Sequence, residues 1–260
     1  MTAVNVKNGE MNNRVAVIIL AAGLGTRMKS DQAKVLHEIN QVPMIQYVVK
    51  AAKAMGVGEI IVVIGHQADQ VRSAVSDHKN IKFAIQDRQL GTGHAVLCAM
   101  PNVSEGIEYI VVLCGDVPLL KPETVTHLMG DHVSVGRDVT VVAVEVMDPT
   151  GYGRMVIGAD RMLSGIVEEA DASESQKKVK TVNAGIYCIN RKFLQQSLDK
   201  LTPSNAQGEV YLTDIVAMAH GEKRLVGYVL AGDPVEVAGV NTPAQLLAAE
   251  TALQARILKP

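Results

Sequence analysis

Val15-Ala-Val-Ile-Ile-Leu-Ala-Ala-Gly-Leu-Gly-Thr-Arg-Met28 decides how the chain is read. Its first six residues, Val15 to Leu20, form an unbroken apolar run rich in Val and Ile. A strand with one wet face alternates apolar and polar residues. An unbroken run marks a strand covered on both faces, as in a parallel sheet. A glycine-rich turn, Ala21 to Thr26, follows at once. Such a turn lets backbone N–H groups approach phosphate oxygens without interference from Cβ. Arg27 and Lys34 then offer charge to neutralise a triphosphate. Two familiar loops are excluded. The Gly-x4-Gly-Lys-Ser/Thr spacing of a P-loop is absent. A dinucleotide fingerprint needs Gly or Ala where Met28 stands, and an acid at the end of the second strand, where Gly65-His66 stands. A glycine-rich turn alone is also compatible with a plain structural turn; the two cations tip the balance toward an anion.

Outward from this stretch, strand and helix alternate. Pro43 to Met55 has apolar residues at spacings of three and four, Pro in the first turn and Gly56 just beyond, which predicts a helix. Strands are predicted over 60–64, 82–86 and 109–113. Helices are predicted over 68–76, 93–100 and 122 to about 129. This order implies an α/β fold: a Rossmann-like, mostly parallel twisted sheet flanked by helices. Ligands in such sheets bind at the carboxyl ends of the strands. The second half is less regular. Strands are predicted over 139–146, 184–189 and 225–230, a hairpin over 154–157 and 163–168 turning at Ala159-Asp160, and helices over 192–201 and 211–220, with Thr213 a possible N-cap. Thr242-Pro243 opens a last helix to about Leu258. This half is read as completing the sheet and building a smaller acceptor lobe.

Composition narrows the function classes. The chain has 260 residues, 48% hydrophobic and 20% charged, enough to bury a sizeable core in one large domain. Trp is absent and aromatics are 3%, against base-stacking single-strand binding. A net charge of -2 without a basic block argues against nucleic acid as a partner. Cys98, Cys114 and Cys188 are odd in number and lack metal-ligand spacing, which fits reduced thiols and a cytoplasmic location. Residues 1–14 are polar, unlike a signal peptide, and are expected to form a disordered extension. No apolar run reaches the roughly 18 residues of a membrane span, so no membrane partner is expected.

Three further segments carry chemistry. Gln86-Asp-Arg-Gln-Leu-Gly-Thr-Gly-His94 offers a side-chain amide that both donates and accepts, as reading a uracil edge requires, and Gly91 permits close backbone approach. A polar loop with Thr92 as N-cap is the plainer alternative, and His94 reads as a packed helix histidine. Cys114-Gly-Asp-Val-Pro-Leu119 closes a buried strand with an aspartate, a natural magnesium ligand, though an Asp at a strand end can be a turn residue only. On the acceptor side, Thr150-Gly-Tyr-Gly-Arg154, Ile166-Val-Glu-Glu169, Val182-Asn-Ala-Gly-Ile186, Gly208 to Asp214 and Gly239-Val-Asn-Thr-Pro243 are each compatible with ordinary turns and strand ends.

Together, in order and spacing, these segments resemble the N-terminal uridylyltransferase domain of the bacterial bifunctional N-acetylglucosamine-1-phosphate uridylyltransferase and glucosamine-1-phosphate acetyltransferase, within the sugar-1-phosphate nucleotidyltransferase family. The resemblance runs from about Val15 to the C-terminus and implies the nucleotide-diphospho-sugar transferase fold, with the catalytic domain over 15–241 and a C-terminal helical arm over 242–260. It implies that Leu20, Ala21, Ala22 and Gly23 contact base and ribose, that Gln86, Gly91 and Thr92 recognise uracil, and that Gly115 belongs to the nucleotide site. Arg27 and Lys34 would serve catalysis at the phosphates. Gly153, Glu168 and Asn183 would hold the N-acetylglucosamine moiety, with 208–214 shaping that pocket. Asp116 and Asn241 would bind Mg2+. The implied reaction joins UTP and N-acetylglucosamine-1-phosphate into UDP-N-acetylglucosamine and pyrophosphate. Alternatives are the same chemistry on another sugar-1-phosphate or nucleoside triphosphate, and a catalytically silent nucleotide-sugar-binding protein.

Three departures stand out. Ala33 takes a position usually held by Pro, which predicts a looser loop before Lys34. Cys114 replaces a usual Tyr, expected to be tolerated. Ala184 loses a hydroxyl from Asn-Thr-Gly, which bears on acceptor specificity. The bifunctional relatives continue into a trimerising left-handed β-helix, whereas this chain ends at Pro260. It is therefore expected to be either a one-domain enzyme or a fragment, and a monomer or weak homo-oligomer.

Overall fold

In a computed structural model of the chain, residues 11–158 and 162–258 are described. In chain order the elements are β1 (Val15–Leu20), β2 (Glu38–Ile39), β3 (Val42–Pro43), α1 (Met44–Ala54), β4 (Glu59–Ile64), α2 (Ala68–Ala74), β5 (Ile81–Ile85), α3 (Thr92–Ala99), β6 (Tyr109–Cys114) and α4 (Pro122–Val135). The second half contributes β7 (Val139–Glu145), β8 (Arg154–Ile157), β9 (Leu163–Val167), β10 (Thr181–Asn190), α5 (Arg191–Leu198), α6 (Asp214–Gly221), β11 (Val226–Leu230) and α7 (Pro243–Leu258).

The main sheet runs β11-β7-β10-β6-β1-β4-β5. β1 lies at its centre, parallel to β4 on one side and β6 on the other. β10 alone is reversed along this path, antiparallel to both β6 and β7. β8 and β9 form the expected hairpin against β10, and its predicted turn at Ala159-Asp160 lies outside the described residues.

The apolar run of β1 is explained by its burial. Val15, Val17 and Ile19 face one core with Val48 and Val49 of α1, Val71 of α2 and Leu128 of α4. Ala16 and Ile18 face the other, with Val96 of α3, Phe193 of α5 and Ile215 of α6. Side chains of a strand alternate between faces, so a strand inside two cores must be apolar at every position. Each buried Val, Ile or Leu contributes about 1.5–3 kcal/mol.

Differences from expectation have local causes. α4 continues past Gly130 to Val135 and stops where Gly136 turns left-handed (φ 72°) and donates to the His132 and Val133 carbonyls. Gly130 faces open space and costs the helix only its weaker propensity. The β2–β3 hairpin was not anticipated: its turn residues, Asn40 and Gln41, both take positive φ without a glycine. Asn40 also ties α7 to the body, its N–H donating to Glu250 Oε1 (2.9 Å). Of the extension expected over 1–14, residues 1–10 lie outside the described residues. Residues 11–14 are pinned: Asn12 Nδ2 donates to the Met55 carbonyl (2.7 Å) and Arg14 pairs with Glu108 (2.8 Å). No helix among the described residues is long and apolar enough to cross a membrane.

Candidate active site

The carboxyl ends of β1, β5 and β6 open into a cleft of 480 Å³. Leu20, Ala21, Ala22 and Gly23 supply one wall, and Gln86, Gly91 and Thr92 another. All seven residues expected around base and ribose thus surround one space. Gly25 is needed for the loop itself. Its φ is 69°, and a Cβ there would lie 2.6 Å from that of Lys34, so Gly25 lets Lys34 fold against the loop and reach the same cleft. Gly91 serves the same end on the far wall. At φ 111°, its added Cβ would meet the Val210 carbonyl oxygen at 2.5 Å.

A second, smaller chamber of 190 Å³ adjoins the first. Gly153, Glu168 and Asn183 line it, as does Asn241. Cys114 and Asp116 line both chambers and so mark where they meet. Gly115 lies between them but faces neither. Its N–H donates to the Leu20 carbonyl (2.9 Å), and a Cβ there would strike that oxygen, so this glycine lets the ends of β1 and β6 close up.

At the junction, Lys34 Nζ pairs with Asp116 Oδ2 and also donates to Asn241 Oδ1 (2.9 Å). Arg27 donates to that same Asn241 oxygen (2.8 Å). Arg27 lines the smaller chamber and Lys34 the larger, so the two cations flank the junction. Asn241 is brought from the far end of the chain by a backbone bond, Val240 N–H to the Asp116 carbonyl (2.8 Å), and its own N–H donates to Gln245 Oε1 (2.8 Å). One ammonium reaches both the Asp116 and Asn241 oxygens, so these two oxygens converge on one cation-sized point. Among the described residues no group of three or more His, Cys, Asp or Glu side chains is arranged to hold a metal.

The smaller chamber is held by buried polar side chains. Arg154 is 1% exposed. Its guanidinium donates to the Tyr152 carbonyl, to Glu169 (2.5 Å) and to the Lys177 carbonyl (3.4 Å). Glu169 in turn accepts from the Gly151 N–H (3.1 Å). Glu168 accepts from Thr213 Oγ1 (3.1 Å), and burial raises its carboxyl above the ordinary range. β10 shifts register between Asn183 and Tyr187. In this bulge Asn183 Oδ1 accepts from the Gly185 N–H (2.9 Å), and Nδ2 donates to the Tyr187 hydroxyl (2.6 Å). The predicted strand began only at Ala184; the bulge is what turns 183–185 toward the chamber.

Several sequence readings need correction. Ala33 does not loosen its loop. Its N–H donates to Gln67 Oε1 (2.8 Å), a bond no proline could make, and Gln67 Nε2 donates to the Asp31 carbonyl (3.0 Å). Thr92 is the first residue of α3 and Thr213 precedes α6, but neither caps with its side chain. Thr92 Oγ1 accepts from the Leu212 N–H (3.0 Å). Within 208–214, expected at the sugar pocket, Glu209 lines the larger chamber while Thr213 reaches Glu168. Cys114, expected to be a tolerated replacement, makes a side-chain contact of its own. Its thiol donates to the Gly185 carbonyl (3.4 Å) and is pushed up to about 12, first by burial and then by Asp116. His94, read as a packed helix residue, contacts the Gln86 amide (3.0 Å). Tyr152 and Gln245 also line the smaller chamber. Tyr152 sat inside a quoted motif; Gln245, one helical turn past Asn241, carried no signal beyond that spacing.

Residues 17–255 match the MobA-like NTP transferase domain family. The chain is 44% identical over 244 residues to the bifunctional protein GlmU of Geobacter metallireducens, covering 94% of this chain and 51% of that one. It is 46% identical over 247 residues to the bifunctional protein GlmU of Heliobacterium modesticaldum, covering 95% and 53%. The chain thus spans about half the length of these relatives. A solved structure of UDP-glucose pyrophosphorylase complexed with UDP-glucose superimposes with a TM-score of 0.76 at 18% identity, over 93% of this chain and 98% of that one, which shows a shared fold.

Proposed function

The chain belongs to the family of MobA-like NTP transferase domains, and from that premise we propose that it transfers UMP from UTP to N-acetylglucosamine-1-phosphate, releasing pyrophosphate. The observation that carries this reading is the pair of chambers meeting at Asp116, with one cation on each side of the junction. The larger takes the nucleotide: the glycine-rich loop from Leu20 cradles it and Gln86, Gly91 and Thr92 face the base. The smaller takes the sugar phosphate against Gly153, Glu168 and Asn183. The similarity to the two GlmU proteins supports the same assignment.

The acceptor phosphate is already anionic and needs no general base. The reaction is an in-line displacement at the α-phosphorus, promoted by positioning and by charge neutralisation. Lys34 neutralises the triphosphate from the nucleotide side and Arg27 the phosphates from the acceptor side. Asp116 and Asn241 fit Mg2+: one carboxylate and one carboxamide oxygen converge, and magnesium typically completes its shell with phosphate oxygens and water. When bound there, the ion supplies further charge neutralisation at phosphate oxygens.

The test is pyrophosphate release from UTP and N-acetylglucosamine-1-phosphate with magnesium. Glucose-1-phosphate, glucosamine-1-phosphate and the other nucleoside triphosphates serve as substitutes. Release only with the first pair is expected. Release with another pair reassigns the chambers around Gln86 and Ala184. Folded protein that binds UTP but releases nothing is a nucleotide-binding protein, not a transferase.

A further inference from the structure

Gln86 directly follows β5 and is 4% exposed, with its N–H donating to the Ile64 carbonyl (2.8 Å). Its side-chain amide has two possible orientations, and they present opposite groups to a base. The surroundings choose between them. The amide atom nearest Gly91 lies 3.1 Å from that residue's carbonyl oxygen. A carbonyl oxygen only accepts, so this atom must be the nitrogen, Nε2. Its second hydrogen points to His94 Nδ1 at 3.0 Å. His94 must therefore accept at Nδ1 and carry its proton on Nε2, which lies 3.7 Å from Cys98 Sγ. Both hydrogens of the Gln86 amide are thus engaged, so the side chain offers a base an acceptor but not the donor that the sequence also predicts. Its Oε1 takes no hydrogen bond from the described residues, and Gln86 lines the larger chamber, so the free oxygen is the group this side chain has left to offer a base there.

Uracil presents a donor, N3–H, on its pairing edge. Cytosine presents an acceptor at the same position. A fixed amide oxygen suits the first and repels the second. If His94 offered no acceptor, the second hydrogen would lose its partner and only Gly91 would resist rotation of the amide. We propose that His94 is a positioning residue that holds the Gln86 amide oxygen toward the base and so sets the preference for uracil over cytosine. The proposal rests on the nucleotide chamber being a uridylyl site.

Measurement of kcat and KM with UTP and with CTP, for the wild type, His94→Leu and His94→Asn, tests it. Leucine fills the space without an acceptor; asparagine can place Oδ1 near the position of Nδ1. His94→Leu is expected to lower the UTP-to-CTP ratio of kcat/KM about tenfold, the scale of one lost hydrogen bond. The change should lie chiefly in KM for UTP, and His94→Asn should restore most of the ratio. A general packing role would instead lower activity with both nucleotides alike. An unchanged ratio in folded His94→Leu overturns the proposal. Nitrogen-15 spectra of the wild-type imidazole give a check that needs no variant: a proton on Nε2 is expected, and one on Nδ1 overturns it. A wild type with no preference for UTP over CTP defeats the uridylyl reading itself, whatever the variants do.

Discussion

The two chambers keep their shape by different means. Much of the larger chamber, the one proposed for the nucleotide, is backbone. The loop after β1 lies against the sheet, with Gly25 allowing Lys34 to pack on it, and the far wall is set by Gly91 and Val210 through main-chain contacts. The smaller chamber, the one proposed for the acceptor, instead hangs on side-chain pairs that are wholly or partly buried: Arg154 with Glu169, Thr213 with Glu168, and Asn183 with Tyr187. A backbone wall is as stable as the sheet that carries it and changes mainly when a glycine changes. A wall of buried polar pairs fails when one partner is removed, because the other is left in a dry place without its bond. Substitutions should therefore separate the two chambers, unless they fall on the junction or on the scaffold beneath both.

The junction gives the largest effect. Asp116 lines both chambers and is joined to Lys34. Asp116→Ala is expected to lower pyrophosphate release by about 10³-fold, the scale seen when one well-placed electrostatic group is lost. Circular dichroism should show an unchanged fold. Magnesium-dependent turnover that survives in folded Asp116→Ala would remove Asp116 from the metal site and leave the chambers without a shared centre.

The scaffold is tested by pH. His132 on α4 is fully buried, its Nδ1 2.8 Å from Thr140 Oγ1 and its Nε2 without a hydrogen-bond partner among the described residues. Burial lowers its pKa from 6.5 to about 4. The unfolded chain therefore takes up the proton first. Stability on this account is complete above about pH 6.5, falls as the pH drops, and has lost about 3 kcal/mol once the pH reaches 4. Urea unfolding of the wild type and His132→Phe across that range should show the variant with the flatter dependence. Because His132 lies under the sheet, both chambers should lose occupancy together. An equal slope in the two proteins would show that other groups govern the acid limb.

Arg154→Met sharpens the contrast. Its guanidinium is buried but Glu169 is partly exposed, so the cost should be about 2–3 kcal/mol, below that of a fully buried pair. The loss should appear as a raised KM for the sugar phosphate, while UTP affinity, measured by calorimetry, stays within about twofold, a shift of under about 0.5 kcal/mol. Equal loss at both sites would mean that the chambers are not independently built.

The same division explains what the sequence made legible. The nucleotide half could be read because its signals are local. An apolar run, a glycine turn and two cations follow one another within Val15 to Lys34, and the cations decide between an anion site and a plain turn. The acceptor half could be read only as short motifs in the right order. Arg154 was visible, but nothing local says that its charge is buried under Tyr152 and beside Lys177. The bulge that turns Asn183 depends on how β10 pairs with β7, and that pairing is long-range. The contact of His94 with Gln86 was hidden for the same reason: its partner follows a strand eight residues away, and a helix histidine alone does not reveal it.

Ala33 gives the smallest predicted effect and tests the reading in which local inference failed. Its φ of -54° and ψ of 134° are those proline prefers, so Ala33→Pro meets no backbone strain at its own position. Restricting the unfolded chain should stabilise by about 0.4–1 kcal/mol. Against this, the bond to Gln67 Oε1 is lost, worth about 1 kcal/mol. The two nearly cancel, and a net change within about 0.5 kcal/mol is expected. The single variant is therefore uninformative, and a double-mutant cycle with Gln67→Ala is the measurement to make. Gln67→Ala should cost about 1 kcal/mol in the parent and clearly less in the Ala33→Pro background, where that bond is already absent. Part of the cost should persist in both, since Gln67 also holds the Asp31 carbonyl. A coupling energy indistinguishable from zero would mean that the Ala33–Gln67 bond adds nothing, and that Ala33 itself is held by its burial.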